Sequence, residues 1–349
     1  MPTPTDQIIA VTCQRDDGPY MVEWVAHHLA AGFDHIVILT HDCQDGSDGL
    51  ADALSADPRI THVPFETEGD TSVQWQALRL ANGLKPVKRA DWAMFFDLDE
   101  FLVLRGPASV RDLIAACGPE VDAIPIRWRF FGAAGQVEMS ASPTLSRFTR
   151  AAPIDIALPA AHFIKTLFRP AAFQKMGVHR PKTRKGETPR WQSAASAPLP
   201  PAFAGDDARI NLFGVDPTGE MAVLHHYSVR SAAEFMVKRQ RGLPNRTTKR
   251  LDLGYWAERN FNITPCDDAA PMIPATLATM EALFALPDVR ARHDAAIEWH
   301  QAQFAALMRD PANVQFLWHL QMLGTSTPPT PAATNAHLTR LMAAKERPK

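Results

Sequence analysis

The sequence predicts an α/β fold, in which a mostly parallel central sheet is flanked by helices and followed by a helical C-terminal extension. Short apolar segments alternate with amphipathic helical segments over about the first hundred residues, which is typical of βαβ units. One apolar segment, Trp92–Phe96, is a continuous run, as expected for a strand buried on both faces. From Ile273 to Leu341 only helical segments occur, separated by proline and aspartate. These three observations define the fold class.

The alternation places four strands before residue 104. They are expected at Gln7–Thr12, His35–Leu39, Ile60–Val63 and from Trp92 onward. The intervening helices begin near Pro19, which suits a first helical turn, and at about Leu50 and Thr71. Right-handed crossovers of this kind produce a parallel sheet.

The remainder of the chain has a less regular pattern. Strands are predicted at Ala123–Trp128, Phe163–Phe168 and Met221–Tyr227, with long functional loops between Phe131 and Pro201. Ser231 and Glu234 form a capping-box pattern, which predicts the start of a helix.

The composition narrows the classes of function. Lys and Arg number 36 against 38 acidic residues, and the net charge of −2 argues against a nucleic-acid-binding protein. The four cysteines fit no metal-binding spacing and suggest a reducing compartment. The N-terminal residues do not resemble a signal peptide, and no run of 18 apolar residues predicts a transmembrane segment. We therefore expect a soluble, cytoplasmic protein, for which peripheral membrane contact stays open.

Two carboxylates follow the apolar strand that begins at Trp92. Because side chains alternate along an extended chain, Asp97 and Asp99 should point the same way, with Leu98 turned into the protein. They would lie at a strand end, where open α/β sheets bind ligands. Like charges this close repel, and a divalent cation such as Mg²⁺ or Mn²⁺, shared with the phosphates of a substrate, would relieve the repulsion. The alternative is a solvated acidic loop without function.

Other nucleotide chemistries lack their motifs. No G-x-G-x-x-G follows the first strand and no Walker loop is present, so dinucleotide-binding and P-loop proteins lose their main support. A phosphohydrolase with a D-x-D nucleophile usually has Thr two residues after the second Asp, where this chain has Phe101. A nucleotidyltransferase would usually show a glycine-rich basic loop near its N-terminus, and none occurs here.

Seven blocks of sequence, in order, resemble the family 2-like glycosyltransferases of the GT-A fold, in particular the branch with a DxDEF strand end. The resemblance covers about residues 7–245. The blocks are Asp17–Trp24 ("NEGPYLLEW"), Gly32–Ile36 ("GFDHI"), Asp42–Ser47 ("NDSTDGT"), Trp92–Leu102 ("WVLFLDVDEFL"), Phe131–Gly135 ("FGSSG"), Gly177–Pro181 ("GVHxP") and His226–Gly242 ("HYxxxSxEEFxxKxxRG").

The resemblance implies a nucleotide-sugar donor and a metal site. Asp99, with Asp97 beside it, would hold the cation on the diphosphate, and His226 could complete the site as a neutral imidazole ligand. Lys238 and Arg241 share a helical face and could clamp the diphosphate. They could instead form a solvated basic face, with Glu234 paired to Lys238.

The same resemblance places the nucleoside across the ends of the first two strands. The residues expected there are Thr12, Arg15, Asp17, Asp42 and Asp45. For the two aspartates of the second strand end, ordinary turn chemistry is the alternative. This chain departs from the family pattern at two places, because Arg15-Asp16-Asp17 replaces Lys-Asn-Glu and Thr40-His41 replaces an acidic residue that helps to bind the base.

An inverting transfer also needs a base that faces the acceptor. Glu138, Asp155, His179 and Glu187 lie in the loop-rich region, and His179 has the support of its sequence block, although it could instead position the acceptor.

The residues and the resemblance together predict a metal-dependent, inverting glycosyltransferase with a UDP-linked donor and a glycan or lipid-linked acceptor. Its domains would be a GT-A domain at 1–262, with a nucleotide-sugar half at 1–104 and an acceptor half at 105–262, and a helical extension at 263–349. The alternative is an inactive sugar-binding or scaffolding protein on the same fold. The enzyme hypothesis would fail if Asp97 and Asp99 faced no cleft, or if fixed basic neighbours already neutralised them and left no space for an ion.

Overall fold

A computed structural model describes residues 7–69, 71–242 and 251–346. Residues 1–6 and 347–349, at the two ends of the predicted domains, and residues 243–245 of the resemblance lie outside the described residues. In the first part of the chain, strands and helices alternate as the sequence predicts. The elements are β1 (Ile8–Gln14), α1 (Gly18–Ala30), β2 (His35–Thr40), α2 (Ser47–Leu54), β3 (Ile60–Pro64), α3 (Val73–Gly83), α4 (Lys85–Arg89), β4 (Trp92–Phe96), β5 (Glu100–Leu104) and α5 (Val110–Cys117).

The middle of the chain contains fewer regular elements, separated by long loops, and the C-terminal part is helical. The middle elements are β6 (Ala123–Phe130), α6 (Thr144–Arg147), β7 (Arg150–Ala151), β8 (Ile164–Phe168), α7 (Pro201–Ala204), β9 (Ala222–His226), α8 (Ala232–Arg241), α9 (Leu253–Ala257) and β10 (Thr264–Pro265), with 3₁₀ turns at Pro159–His162 and Pro170–Ala172. The C-terminal helices are α10 (Ile273–Phe284), α11 (Val289–Leu307), α12 (Pro311–Met322) and α13 (Pro331–Glu346).

Eight strands form one mixed sheet in the order β3-β2-β1-β4-β8-β6-β9-β5. The first four of these are parallel, in agreement with the predicted βαβ units. Strand β8 is antiparallel to β4 and β6, β9 is parallel to β6, and β5 is antiparallel to β9. Most strand pairs are therefore parallel, and the α/β class with a helical C-terminal part is confirmed.

The sheet is covered on both faces. Along β1, Ile8 and Ala10 belong to the hydrophobic cluster under α1, whereas Ile9 and Val11 belong to the cluster on the opposite face. All four are fully buried. This two-sided burial explains why the strands of this region are continuous apolar runs instead of alternating patterns.

The apolar stretch around Trp92 forms two strands that lie far apart in the sheet. Strand β4 lies near the middle, and β5 forms the edge beyond β9. The chain leaves β4 at Asp97 and enters β5 at Glu100, so the Asp97-Leu98-Asp99 turn lies where the sheet changes from parallel to mixed.

The C-terminal helices pack against the α/β part of the chain. Helix α10 packs along α1, and α11 contacts α1, α2 and α8. The approach is close, because a Cβ atom built at Gly18 would lie 2.6 Å from the Cβ atom of Ala296. The division at residue 263 stays a prediction, and the elements on either side of it share a buried interface.

Candidate active site

Backbone and side-chain hydrogen bonds fix the turn between β4 and β5. The Glu100 carboxylate accepts a hydrogen bond from the Asp97 N–H at 2.8 Å, and the Asp99 carbonyl accepts one from the Tyr227 N–H at 2.8 Å. Leu98 is buried, whereas the side chains of Asp97 and Asp99 are 31% and 14% exposed. The turn thus presents two carboxylates and hides the residue between them, as predicted.

The Asp97 carboxylate has two fixed partners. One oxygen accepts a hydrogen bond from Lys165 Nζ at 2.9 Å, and the other accepts one from Gln74 Nε2 at 2.7 Å. Burial favours the neutral form of Lys165, but the carboxylates of Asp97 and Glu100 outweigh it and raise the lysine pKa. Burial raises the pKa of Glu100 well above its usual range. Lys165 is therefore a buried cation that neutralises Asp97.

The Asp99 carboxylate contacts a lysine and a histidine. Its Oδ2 atom lies 2.6 Å from Lys238 Nζ, and its Oδ1 atom lies 3.4 Å from His226 Nε2. Burial would raise the pKa of Asp99, but Lys238 and His226 hold it well below the usual range. Burial also lowers the pKa of His226, so its ring is neutral at pH 7. The predicted pairing of Glu234 with Lys238 does not form, because Glu234 binds Arg147 in a bidentate pair at 2.8 Å.

These residues line a cavity of about 380 Å³, which we call the turn cavity. Eight of the residues predicted to form the site line it: Arg15, Asp17, Asp97, Asp99, His179, His226, Lys238 and Arg241. They come from positions up to 226 residues apart in the chain, as the contact between Arg15 and Arg241 shows.

Three predicted residues do not line the turn cavity. Thr12 is fully buried in β1, and Asp42 lines a neighbouring cavity with its side chain 52% exposed. Asp45 is buried, and it accepts hydrogen bonds from the backbone N–H groups of Gly18 and Ser47, both at 2.9 Å. The turn-chemistry alternative therefore describes Asp45 best, because its carboxylate organises the start of two helices.

Arg241 lines both the turn cavity and the neighbouring cavity, and several contacts fix its side chain. It forms an ion pair with Asp17 at 2.7 Å, and it donates a hydrogen bond to the carbonyl of Asp16 at 3.0 Å. Arg15 and Arg241 also donate to each other's backbone carbonyls. A positively charged wall thus runs along α8 toward Asp99, although its charges are partly compensated.

Of the four proposed bases, only His179 lines the turn cavity. Its Nδ1 atom lies 2.9 Å from the Ile164 carbonyl, and since a carbonyl can only accept, Nδ1 carries the hydrogen. Burial, with a contribution from Lys165, lowers the pKa of His179 to about 4. The ring is therefore neutral, with Nε2 as its acceptor atom. Glu138, Asp155 and Glu187 are exposed side chains outside the cavity lining.

The sequence interpretation missed several residues of the site. Lys165 and Gln74 contact Asp97, and Glu258 and Arg259 line the opposite wall of the turn cavity. A lysine within the apolar strand Ile164–Phe168 is an unusual buried charge, and that signal was present in the sequence. Glu258 follows the short helix α9 and belongs to no recognisable motif.

A second group of potential metal ligands lies away from the turn cavity. Ligand atoms of His225, Cys266 and Asp268 lie within 4.8 Å of one another. Arg129 Nη1 is 3.1 Å from both Cys266 Sγ and Asp268 Oδ2, and Arg105 Nε is also 3.1 Å from Asp268 Oδ2. The guanidinium groups of Arg129 and Arg105 already form ion pairs with the Asp268 carboxylate. This cluster is therefore a poor site for another cation.

The fold, the carboxylate turn and the basic wall define a glycosyltransferase, and comparison with known families agrees. Residues 13–196 match the family model of glycosyltransferase family 92. Because the match covers more than half of the chain, this protein belongs to glycosyltransferase family 92. The class predicted from the sequence is thus confirmed, and the family is 92 instead of the family 2-like group. No curated protein matches the sequence.

Solved structures show only partial similarity. S. aureus TarS 1-349 in complex with UDP aligns over 48% of this chain and 47% of its own, with 12% identity and a TM-score of 0.31. The bifunctional glycosyltransferase WbbM in its apo form aligns over 36% of this chain and 24% of its own, with 12% identity and a TM-score of 0.25. This chain therefore spans less than half of either protein. None of the helices in the described ranges has the length and apolar character needed to cross a bilayer.

Proposed function

We propose that the protein transfers a sugar from a UDP-linked donor to a hydroxyl group of a glycan, with inversion at the anomeric carbon and with a divalent cation. The observation that carries this proposal is the turn cavity, in which Asp99, His226, Lys238 and Arg241 meet at one end of the sheet. A cytoplasmic location and a lipid-linked form of the acceptor belong to the same proposal.

The basic residues of α8 suit the diphosphate. Lys238 and Arg241 are three residues apart, so they project from the same side of the helix. Both line the turn cavity next to Asp99. The nucleotide leaves with negative charge, and positive side chains fixed before the reaction stabilise that charge without reorganisation.

The donor atoms at Asp99 also suit a divalent cation. A carboxylate and a neutral imidazole are ligands that Mn²⁺ accepts, and His226 Nε2 lies 3.4 Å from Asp99 Oδ1, so one ion could contact both atoms. Asp99 and His226 would hold the ion. The Asp99 carboxylate would then either contact both the ion and Lys238 or lose its present contact with Lys238. Asp97 is a weaker candidate ligand, because Lys165 and Gln74 already engage both of its oxygens. When bound, the ion would act as a Lewis acid on the leaving diphosphate.

The base would lie near His179 or Glu258. His179 is neutral and can accept a hydrogen bond from the acceptor hydroxyl, which positions the oxygen for attack. Accepting a proton would make the buried His179 a cation near Lys165, whereas it would make Glu258, a carboxylate in the cavity lining with a 55% exposed side chain, neutral. We therefore assign positioning to His179 and proton removal to Glu258.

The end of β2 supports a uracil base. His41 lines the turn cavity, and its Nδ1 atom lies 3.0 Å from the Asp42 carboxylate, so Nδ1 carries the hydrogen. The ring Nε2 atom has no partner in the described part of the chain. It is thus available to accept a hydrogen bond from the N3–H group of uracil.

The test is release of free UDP from a panel of UDP-sugars, measured with Mn²⁺ and with EDTA. We expect turnover that EDTA abolishes and that Asp99→Asn lowers about a thousandfold, because metal and leaving-group stabilisation are lost together. The control, Trp318→Ala, changes an exposed residue outside both cavities and should retain full activity.

Two outcomes would contradict the proposal. Turnover that survives EDTA would show that Lys238 and Arg241 supply the charge without a metal. Absence of UDP release from every donor, with Asp99→Asn folded like the wild type by circular dichroism, would favour the sugar-binding alternative.

A further inference from the structure

A second cavity of about 270 Å³ lies between α8, α11 and the loop after β2, and we call it the α11 cavity. It shares Arg15, Asp17, Lys238 and Arg241 with the turn cavity. The ion pair between Asp17 and Arg241 lies in this shared wall. The proposed transfer reaction uses the shared wall and leaves the rest of the α11 cavity without a role.

His300 supplies an unpartnered ring nitrogen to this cavity. Its Nε2 atom lies 3.2 Å from the Asp45 carboxylate. Burial would raise the pKa of Asp45, but hydrogen bonds from His300, Ser47 and Gly18 lower it, so the carboxylate is charged and can only accept. The imidazole hydrogen is therefore on Nε2. The Nδ1 atom has no partner within the described ranges, and a sugar hydroxyl, which both donates and accepts, can pair with it.

Arg230 supplies an unused donor to the same cavity. Its residue has a φ of 51°, a left-handed conformation that is unfavourable for arginine and tends to occur at functional sites. The guanidinium lies 3.5 Å from the centre of the Tyr20 ring and donates to the Leu98 carbonyl. In the part of the chain that the structure describes, the Nε–H group of Arg230 has no acceptor.

Two side chains of α11 complete the cavity. Trp299 is half-buried and offers an aromatic surface, and Gln303 offers an amide that can both donate and accept. A ligand with an apolar face and several hydroxyl groups satisfies all of these groups at once. A phosphate would fit less well, because the carboxylates of Asp16 and Asp42 also line the cavity.

We propose that the α11 cavity is a binding site for one neutral sugar unit, separate from the donor site. The ring would stack on Trp299, and its hydroxyl groups would bind Arg230, His300 and Gln303. The volume is close to the lower limit of typical ligand pockets, about 300 Å³, which suits a single sugar and excludes a nucleotide-sized ligand. This site would exist whether or not the chain transfers sugars by the proposed route.

The test measures the binding of free glucose, galactose, mannose and N-acetylglucosamine by saturation-transfer NMR, without nucleotide or metal. We expect at least one sugar to bind the wild-type chain. Loss of the aromatic surface in Trp299→Ala should raise the Kd about tenfold, and Gln303→Ala should raise it about threefold. The matched control, Trp318→Ala, removes a tryptophan that is 55% exposed on α12 and should leave the Kd unchanged.

A further variant separates this site from the donor site. Asp99→Asn should leave free-sugar binding intact while it abolishes UDP release. The inference is overturned if no sugar binds at about 20 mM, or if Trp299→Ala and Gln303→Ala, both folded, bind as tightly as the wild type. It is also overturned if Asp99→Asn or added UDP abolishes sugar binding, because the sugar would then occupy the turn cavity.

Discussion

The two halves of the central sheet are built from different kinds of strand. In the parallel half, β1 to β4, no strand contains Asp, Glu, Lys or Arg within its bounds. In the mixed half, β5, β6 and β8 carry the buried charged residues Glu100, Arg127, Arg129 and Lys165. Histidines occur in both halves, as His35 and His62 in β2 and β3 and as the buried pair His225 and His226 in β9. Both halves are covered by helices or loops.

This difference indicates that the parallel half mainly stabilises the fold, whereas the mixed half positions the charged groups of the candidate site. The parallel half is stabilised by apolar burial, which is non-directional and tolerates conservative changes. The buried charges of the mixed half need particular partners, and Lys165 and His226 hold the two aspartates of the turn. We infer that the mixed half gives up stability to position charged groups, a hypothesis that the following three predictions test.

The largest effect is expected from removal of the buried lysine. Lys165→Met leaves Asp97 without its cation, and breaking a buried pair costs about 3 kcal/mol of unfolding free energy. Ile38→Val, a matched change at a fully buried position of the parallel half, should cost about 1 kcal/mol. Urea unfolding measures both. Equal losses of unfolding free energy in the two variants would show that the buried charge of the mixed half is no more sensitive to substitution than the apolar parallel half.

The next effect concerns pH. His27 donates to the Leu102 carbonyl of β5, and His179 donates to the Ile164 carbonyl of β8. Burial lowers the pKa of each histidine to about 4, below the unfolded value near 6.5. Between these values the unfolded chain binds more protons than the folded chain, so stability falls as the pH decreases.

From pH 7 to pH 5 each of these histidines should reduce the unfolding free energy by about 2 kcal/mol. His27→Gln should remove its share of this loss, whereas His337→Gln, a change at an exposed histidine of α13, should not. Unfolding by urea at both pH values gives the comparison. A loss of stability that is the same in His27→Gln and the wild type would contradict the assignment.

The smallest effect is expected at the start of α8. Ser231 accepts a hydrogen bond from the Glu234 N–H, and Glu234 accepts one from the Ser231 N–H, which confirms the predicted capping box. Ser231→Ala should lower the unfolding free energy by about 1 kcal/mol. It should also raise the KM for the donor more than it changes kcat, because α8 carries Lys238. A variant that loses kcat alone would assign Ser231 to the chemical step.

Local patterns gave a good account of the fold. The four parallel strands and the capping box follow from spacing within about ten residues. The order of strands in the mixed half could not be predicted in the same way. Its antiparallel pairings join segments far apart in the chain, such as β5 and β9, and no local pattern specifies them.

The candidate site could be predicted only in part, because many of its contacts also join residues that are far apart in the chain. The sequence blocks led to Asp99, His226 and Lys238, but not to the contact between Lys238 and Asp99, which joins residues 139 positions apart. The resemblance implies a nucleoside contact for Asp45, whereas in the structure its carboxylate accepts hydrogen bonds from two backbone N–H groups and contacts His300.

The close contact between Gly18 and Ala296 has a consequence for biosynthesis. Helix α1 leaves the ribosome before α10 and α11, which cover it and follow more than two hundred residues later. During that interval the covering helices are absent from the outer face of α1. His27, for example, does not yet have its hydrogen-bond partner Thr276, which belongs to α10. Nascent chains should therefore need protection by a chaperone until α10 and α11 have been synthesised.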